Sequence, residues 1–201
     1  MKSKLRKVVL IIICMCLTGW YAIIDKPVSL YNTECDTSAF QSITLEKGKE
    51  MLQTFIGVEE YIDGVALKVA ADGVKDKSQA TILYEIKDSD SGKSIVSGET
   101  NLKKLSSGKF FKIKFERIPD TKGKKFVLKI AIKDCPAGNV RVFYAPGTDS
   151  NAMLVYDGQN IDGIGVVRTL THRFDMETYI VTLCFLAYIV LFMRWLYKLF
   201  E

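Results

Sequence analysis

Phe110-Phe111-Lys112-Ile113-Lys114-Phe115-Glu116-Arg117-Ile118-Pro119-Asp120-Thr121-Lys122-Gly123-Lys124-Lys125-Phe126-Val127-Leu128-Lys129-Ile130-Ala131-Ile132-Lys133 is the stretch on which the fold turns. Phe111, Ile113 and Phe115 alternate with Lys112, Lys114 and Glu116. After the turn, Phe126, Leu128, Ile130 and Ile132 share one face, with Lys129 and Lys133 on the other. A period of two puts successive side chains on opposite faces of a strand, so each run buries one face and wets the other. Pro119 to Gly123 supplies the fixed φ, the carboxylate acceptor of Asp120 and the glycine that a tight reversal needs. The reading is two half-buried strands that fold back on each other.

The same pattern extends in both directions. Ile82, Tyr84 and Ile86 share a face, as do Val140, Val142 and Tyr144. Shorter strand candidates lie at 42–45, 52–58, 64–70, 95–97, 152–156 and 165–170. Turn chemistry separates them: Asp72-Gly73, Asp88 to Gly92, Ser106-Ser107-Gly108, Pro136 to Asn139, and Asp157-Gly158. About ten short strands at this spacing predict an antiparallel sandwich or barrel. Helical periodicity is absent from this middle region, apart from a single turn that fits residues 44–50.

Both ends are apolar. Residues 8–24 read VVLIIICMCLTGWYAII without a charge, behind Lys2, Lys4, Arg6 and Lys7. As a helix this run would reach about 25 Å, just short of a hydrocarbon core. A cleaved signal peptide is the alternative, but it wants small residues at the cleavage site, and Trp20, Tyr21, Ile23 and Ile24 are bulky. Residues 178–193 form a second uncharged run, followed by Arg194 and Lys198. Basic residues at the outer end of each run carry the positive-inside signature. The expectation is a cytoplasmic segment 1–7, a transmembrane helix 8–24, an extracytoplasmic domain 25–175 and a transmembrane helix 176–200. This is a two-pass membrane protein with both termini in the cytoplasm and lipid as one partner.

No catalytic motif is visible. His172 is the sole histidine, and it reads as an interfacial polar residue rather than a base. A metal site needs several His, Cys or carboxylate ligands at matched spacings, and none is seen, so no metal and no cofactor are expected. Gly92-Lys93-Ser94 lacks the glycine that a phosphate loop needs five residues earlier, where Lys87 stands. Asp88-Ser89-Asp90-Ser91-Gly92 fits a β-turn better than a calcium loop. Of the five cysteines, Cys14, Cys16 and Cys184 fall in the apolar runs, while Cys35 and Cys135 share the outer domain. These two could form a disulfide there, or stay as separate thiols. Residues 103–133 hold eleven basic and two acidic groups, whereas residues 57–99 hold nine acidic and five basic. The basic run reads either as lysines that solvate strand faces and guard edges, or as a face for an anionic envelope polymer or lipid. Nucleic acid does not fit an extracytoplasmic domain.

Gln53-Thr54-Phe55, residues 62–67, 81–88, 118–128 and Tyr156-Asp157-Gly158 together resemble a bacterial jelly-roll module of the galactose-binding-like, carbohydrate-binding-module type. Similar modules occur on the outer face of cell-envelope glycosyltransferases and polysaccharide-assembly proteins. The resemblance covers roughly residues 53–170 and implies an all-β, antiparallel jelly-roll sandwich, here flanked by one N-terminal and one C-terminal transmembrane helix. It implies non-enzymatic binding of a glycan or lipid-linked glycan in envelope polysaccharide assembly. The alternative is an accessory subunit that docks on a partner membrane protein. Both tryptophans lie in the terminal runs, so tyrosines must supply any ring platform. The longest polar loop starts at Tyr144 and leads to Asp157, making Tyr144, Asn151, Tyr156 and Asp157 the expected sugar contacts.

Overall fold

The computed structural model describes residues 2–147 and 152–200. Two compact units emerge, residues 27–171 and a unit formed by residues 1–26 with 172–201. The larger unit is a β-sandwich.

Thirteen strands are present among the described residues: β1 Ile23–Ser29, β2 Gln41–Leu45, β3 Glu50–Ile56, β4 Tyr61–Asp72, β5 Thr81–Asp88 and β6 Ser94–Asn101. They continue as β7 Phe110–Pro119, β8 Lys125–Asp134, β9 Asn139–Pro146, β10 Leu154–Tyr156, β11 Gln159–Ile161, β12 Gly163–Gly165 and β13 Val167–Phe174. One sheet runs β1-β13-β4-β9-β12, with β2 on β9 and β7 on β4; the other runs β11-β10-β3-β8-β5-β6. Alternation decides which side chains meet between them. Leu67, Ile113 and Val142 from the first sheet face Ile82, Leu128 and Ile130 from the second, all buried in one core. Each six-strand or seven-strand face thus hides its apolar set against the other and leaves its lysines outside.

The glycines of the expected turns do the work assigned to them. Gly73, Gly92, Gly108, Gly123, Gly138 and Gly158 all have positive φ, which costs glycine little. Gly64 has a different reason. A Cβ there would come within 2.6 Å of the Ile113 carbonyl oxygen, just where β4 shifts register against β7. The two strands can approach only because that side chain is missing.

One polar side chain crosses the core. Gln53 on β3 is fully buried, and its Oε1 accepts a 2.7 Å hydrogen bond from the Gly165 amide on β12, in the opposite sheet. Its Nε2 donates to the Thr54 carbonyl at 2.8 Å. A buried amide must be paired, and here the pairing ties the sheets together.

A second, smaller cluster lies apart from the main core. Tyr31, Ala145, Ile164 and Val166 pack together with Cys35 and Phe40 from residues 30–40. Tyr31 and Phe40 meet edge to face at 5.8 Å. No α-helix interrupts the described part of the sandwich, and residues 44–50 are the end of β2, a turn and the start of β3 rather than a helical turn.

The smaller unit holds two helices, α1 Lys2–Tyr21 and α2 Met176–Phe200. Asp175 caps α2: its Oδ2 accepts from the Thr178 amide at 3.1 Å and from the Thr178 hydroxyl at 2.6 Å, which holds the carboxyl below its usual range. α2 is predominantly apolar and buries none of its residues. It is long and apolar enough to cross a membrane. The expectation of an equal N-terminal span is corrected here. The helix stops at Tyr21, and Ile23 and Ile24 of the expected span open β1 instead. Its uncharged run ends at Tyr21 rather than Ile24, so from Val8 it reaches about 21 Å, short of a hydrocarbon core.

Candidate functional site

The expected sugar contacts fall in two places. Tyr144 lies on β9 with Val140 and Val142, so strand parity turns its ring toward the core, and its hydroxyl donates to the Gln41 side-chain Oε1. Tyr156 on β10 shares its face with buried Leu154. Its hydroxyl donates to the Thr44 carbonyl at 2.7 Å and accepts from the Glu46 amide at 3.0 Å. Asp157 follows with φ 51° in the β10–β11 hairpin, and its carboxylate is 3.4 Å from Lys49. The structure therefore joins Tyr156 and Asp157 to the turn after β2, while Tyr144 is bound at the opposite end of β2. Asn151 lies outside the described residues.

Cys35 and Cys135 are free thiols. Cys35 packs on the smaller cluster, while Cys135 packs on the main core with its Sγ 3.5 Å from the Ala137 carbonyl. Asp88 closes its turn as expected, taking the amides of Asp90 and Ser91 at 3.2 and 2.8 Å. Its carboxyl is held low, chiefly by the Ser91 amide. Among the described residues no group of three metal-ligating side chains occurs. His172 Nδ1 lies 2.9 Å from the Asp25 carboxylate.

A concavity lies elsewhere, at an open side of the sandwich. Among the described residues β6 has a ladder only to β5, and β7 only to β4, so each turns a free edge outward. A cleft of about 560 Å³ opens there, lined by Tyr84, Glu99, Thr100, Asn101, Lys104, Phe111, Lys112, Ile113 and Lys114. Tyr84 of the lining stacks its ring on Phe115 behind it, with centroids 6.2 Å apart and planes 28° apart. Gly98 makes room for that ring, since a Cβ at Gly98 would come within 2.6 Å of the Tyr84 hydroxyl oxygen. Glu99 is ion-paired with Lys133. Asn101 Oδ1 accepts from the Lys103 amide at 3.2 Å and caps a 3-10 turn, Leu102–Lys104, that is pinned by fully buried Leu102.

Other aromatic faces of the sandwich are already covered. The Arg117 guanidinium sits 3.8 Å over the Tyr61 ring while its Nε bonds Asp63 at 3.0 Å, which raises the arginine's pKa further. Arg168 lies 3.9 Å over Phe110. Sequence reading placed Tyr84 and Phe115 on core faces and noted the basic run, but did not join them. The available signal was Gly98 inside a strand pattern, which marks a close approach.

No protein-family model matches the chain, and no curated protein matches it. Several solved structures are similar to parts of it. The cysteine protease and lectin-like domains of a surface layer associated protein of Clostridium difficile share 12% identity over 67% of this chain and 36% of that one, with a TM-score of 0.41. A non-crystalline cellulose specific carbohydrate-binding module shares 10% identity over 52% of this chain and 69% of that one, with a TM-score of 0.31. A xylan-binding module shares 10% identity over 66% of this chain and 98% of that one, also with a TM-score of 0.31. All three scores are below 0.5, so the two-sheet architecture rests on the strand ladders and the site on its own geometry.

Proposed function

We propose that this chain is a membrane-anchored, non-enzymatic glycan-binding protein whose sugar site is the cleft between β6 and β7. The observation that carries the reading is that the Tyr84 ring, backed by Phe115, lines one cleft together with Glu99, Thr100, Asn101 and Lys104. A sugar ring has an apolar C–H face and a rim of hydroxyls, and it needs this combination of ring and hydrogen-bonding groups. The volume falls within the few hundred to about 1,000 Å³ typical of small-ligand clefts. The free edges of β6 and β7 add backbone donors and acceptors at the rim. Glu99 of the lining is ion-paired with Lys133. In this reading the sandwich is of the jelly-roll, carbohydrate-binding-module type, lies outside the cytoplasm on a C-terminal anchor, and serves envelope polysaccharide assembly. α2 is the anchor. Binding on the order of millimolar, about −4 kcal/mol, suffices when ligand and protein share a membrane.

The test is titration of the full-length protein in detergent micelles with envelope polysaccharides, followed by Tyr84→Ala. Loss of binding by tenfold or more supports the cleft. Retained binding in Tyr84→Ala, with loss in Tyr144→Ala or Tyr156→Ala, moves the site to the edge formed by Tyr144, Asn151, Tyr156 and Asp157. The second reading, docking on a partner membrane protein, draws on the same free edge of β6, where Ile95 is exposed. No glycan binding, with one stoichiometric membrane partner co-purifying, would favour it.

A further inference from the structure

We infer that Arg168 is a binding site for an oxyanion, a carboxylate or phosphate group carried by a ligand. The sandwich has three arginines, Arg117, Arg141 and Arg168, and each lies over an aromatic ring: Tyr61 at 3.8 Å, Phe143 at 5.7 Å and Phe110 at 3.9 Å. Two of them are completed in the same way. Arg117 Nε donates to Asp63 at 3.0 Å and Arg141 Nε donates to Asp72, and both aspartates belong to β4. Arg168 on β13 also stands beside β4, but its cross-strand partner there is Ala66, whose side chain can accept nothing. Arg168 Nε, the atom that takes the aspartate in the other two, is buried and has no partner. What holds this guanidinium is the Phe110 ring and the Tyr31 hydroxyl, which accepts from Nη2 at 3.2 Å.

A second cation shares the ring. Lys68 is the cross-strand partner of Phe110; its Nζ lies 5.7 Å from the Phe110 centroid and donates to the Gly108 carbonyl at 2.7 Å. Among the described residues neither Arg168 nor Lys68 is paired with a carboxylate. An unpaired buried donor on a charged group is costly, so a fold that keeps one needs a reason. Stacking alone does not supply it, because Arg117 and Arg141 are stacked and carry an aspartate besides. A carboxylate or phosphate has the forked oxygens that a guanidinium recognises, and the charge of Lys68 nearby adds to the attraction. Tyr31, the group already on Nη2, lies in residues 30–40, which hold no strand and one short 3-10 turn. An incoming oxyanion takes over the place of that hydroxyl on the guanidinium.

The experiment uses the full-length protein, labelled with nitrogen-15 arginine, in micelles of a neutral detergent. The side-chain Nε–H signals are followed by NMR, and Arg168→Lys assigns the Arg168 signal by its loss. Sodium phosphate and sodium acetate are titrated against sodium chloride at equal ionic strength, and phosphatidylglycerol is doped into separate micelles. The expected result is a saturable shift of the Arg168 signal with phosphate or acetate that chloride does not reproduce. Arg117 and Arg141, whose Nε atoms are taken by aspartates, should stay in place. Lys68→Gln should weaken the titration several-fold, and Lys47→Gln, which removes an exposed cation paired with Asp134 elsewhere, should leave it unchanged. A saturable shift with phosphatidylglycerol but with neither free salt supports the site and makes its oxyanion a lipid headgroup. An equal shift with chloride, equal movement of all three arginines, or equal losses in Lys68→Gln and Lys47→Gln overturns the inference, since the attraction would then be diffuse. No shift of Arg168 with phosphate, acetate or the lipid overturns it too, and reduces Arg168 to a stacking residue; glycan binding in the cleft is untouched by either result.

Discussion

Replacing Gln53 with leucine tests a hydrogen bond that joins the sheets through the core. Leucine has a similar volume, so packing around Leu154, its cross-strand partner, is largely kept. What changes is polar. The Gly165 amide loses an acceptor at 2.7 Å in a place water does not reach. An orphaned buried donor costs about 1–3 kcal/mol. The Thr54 carbonyl loses a donor too, but carbonyls tolerate this better. The added apolar surface returns roughly 1 kcal/mol. The net expectation is a loss of about 1–2 kcal/mol, which for a chain of this size lowers Tm by roughly 3–8 °C. Gly165 offers the reciprocal probe, because a Cβ there would stand 3.1 Å from Gln53 Oε1 and crowd the same bond. The assay is urea and thermal unfolding of the full chain in detergent, followed by the sheet signal in circular dichroism. A Gln53→Leu protein within about 0.5 kcal/mol of the parent would refute the claim that this bond is needed.

Three further outcomes are expected. Gly98→Ala should push the Tyr84 ring off Phe115, costing about 0.5–1.5 kcal/mol of stacking and weakening glycan binding with it; unaltered binding would separate the ring from the site. Tyr156→Phe removes a hydroxyl that bridges Thr44 and Glu46 and should cost about 1–2 kcal/mol in unfolding measurements, while cleft binding stays intact. Acid should destabilise the sandwich in a defined window. Burial acts to raise the Glu85 pKa, but the Ser94 hydrogen bond and the charges of Lys87 and Lys129 outweigh it and hold the group below its ordinary 4.5. A folded-state pKa below the unfolded one gives stability that is complete above 4.5 and is lost as pH falls through the lower value. The urea midpoint should therefore hold steady near neutrality and drop below about pH 4.5, less steeply in Glu85→Gln; a midpoint that rises on acidification would contradict the assignment.

The alternating runs were legible because parity is local. Ile82, Ile86, Phe111, Ile113, Phe126, Leu128, Val140 and Val142 were all assigned inward faces, and all are buried. The same rule carried a warning about the expected site: Tyr144 continues the inward face of Val140 and Val142, and Tyr156 that of Leu154. β1 was hidden because its first residues extend an apolar run that reads as helix, and Pro27 within it weakens any strand signal. The cleft was hidden for a different reason. It exists because β6 and β7 end their respective sheets on the same side, and which strands lie at the edges is a property of sheet order that no local period encodes.

The ladder between β2 and β9 joins Gln41 to Tyr144, and Leu30 bonds Val167 beside β13. Neither contact can form while the chain is being made until its distant partner has left the ribosome. At about 5–20 residues per second, β2 waits on the order of 5–20 s for β9. Hairpins such as β5–β6 close in microseconds once synthesised, so the second sheet can begin assembling first. The first strands of the chain are thus the last to find shelter, and they depend most on whatever holds a nascent chain open.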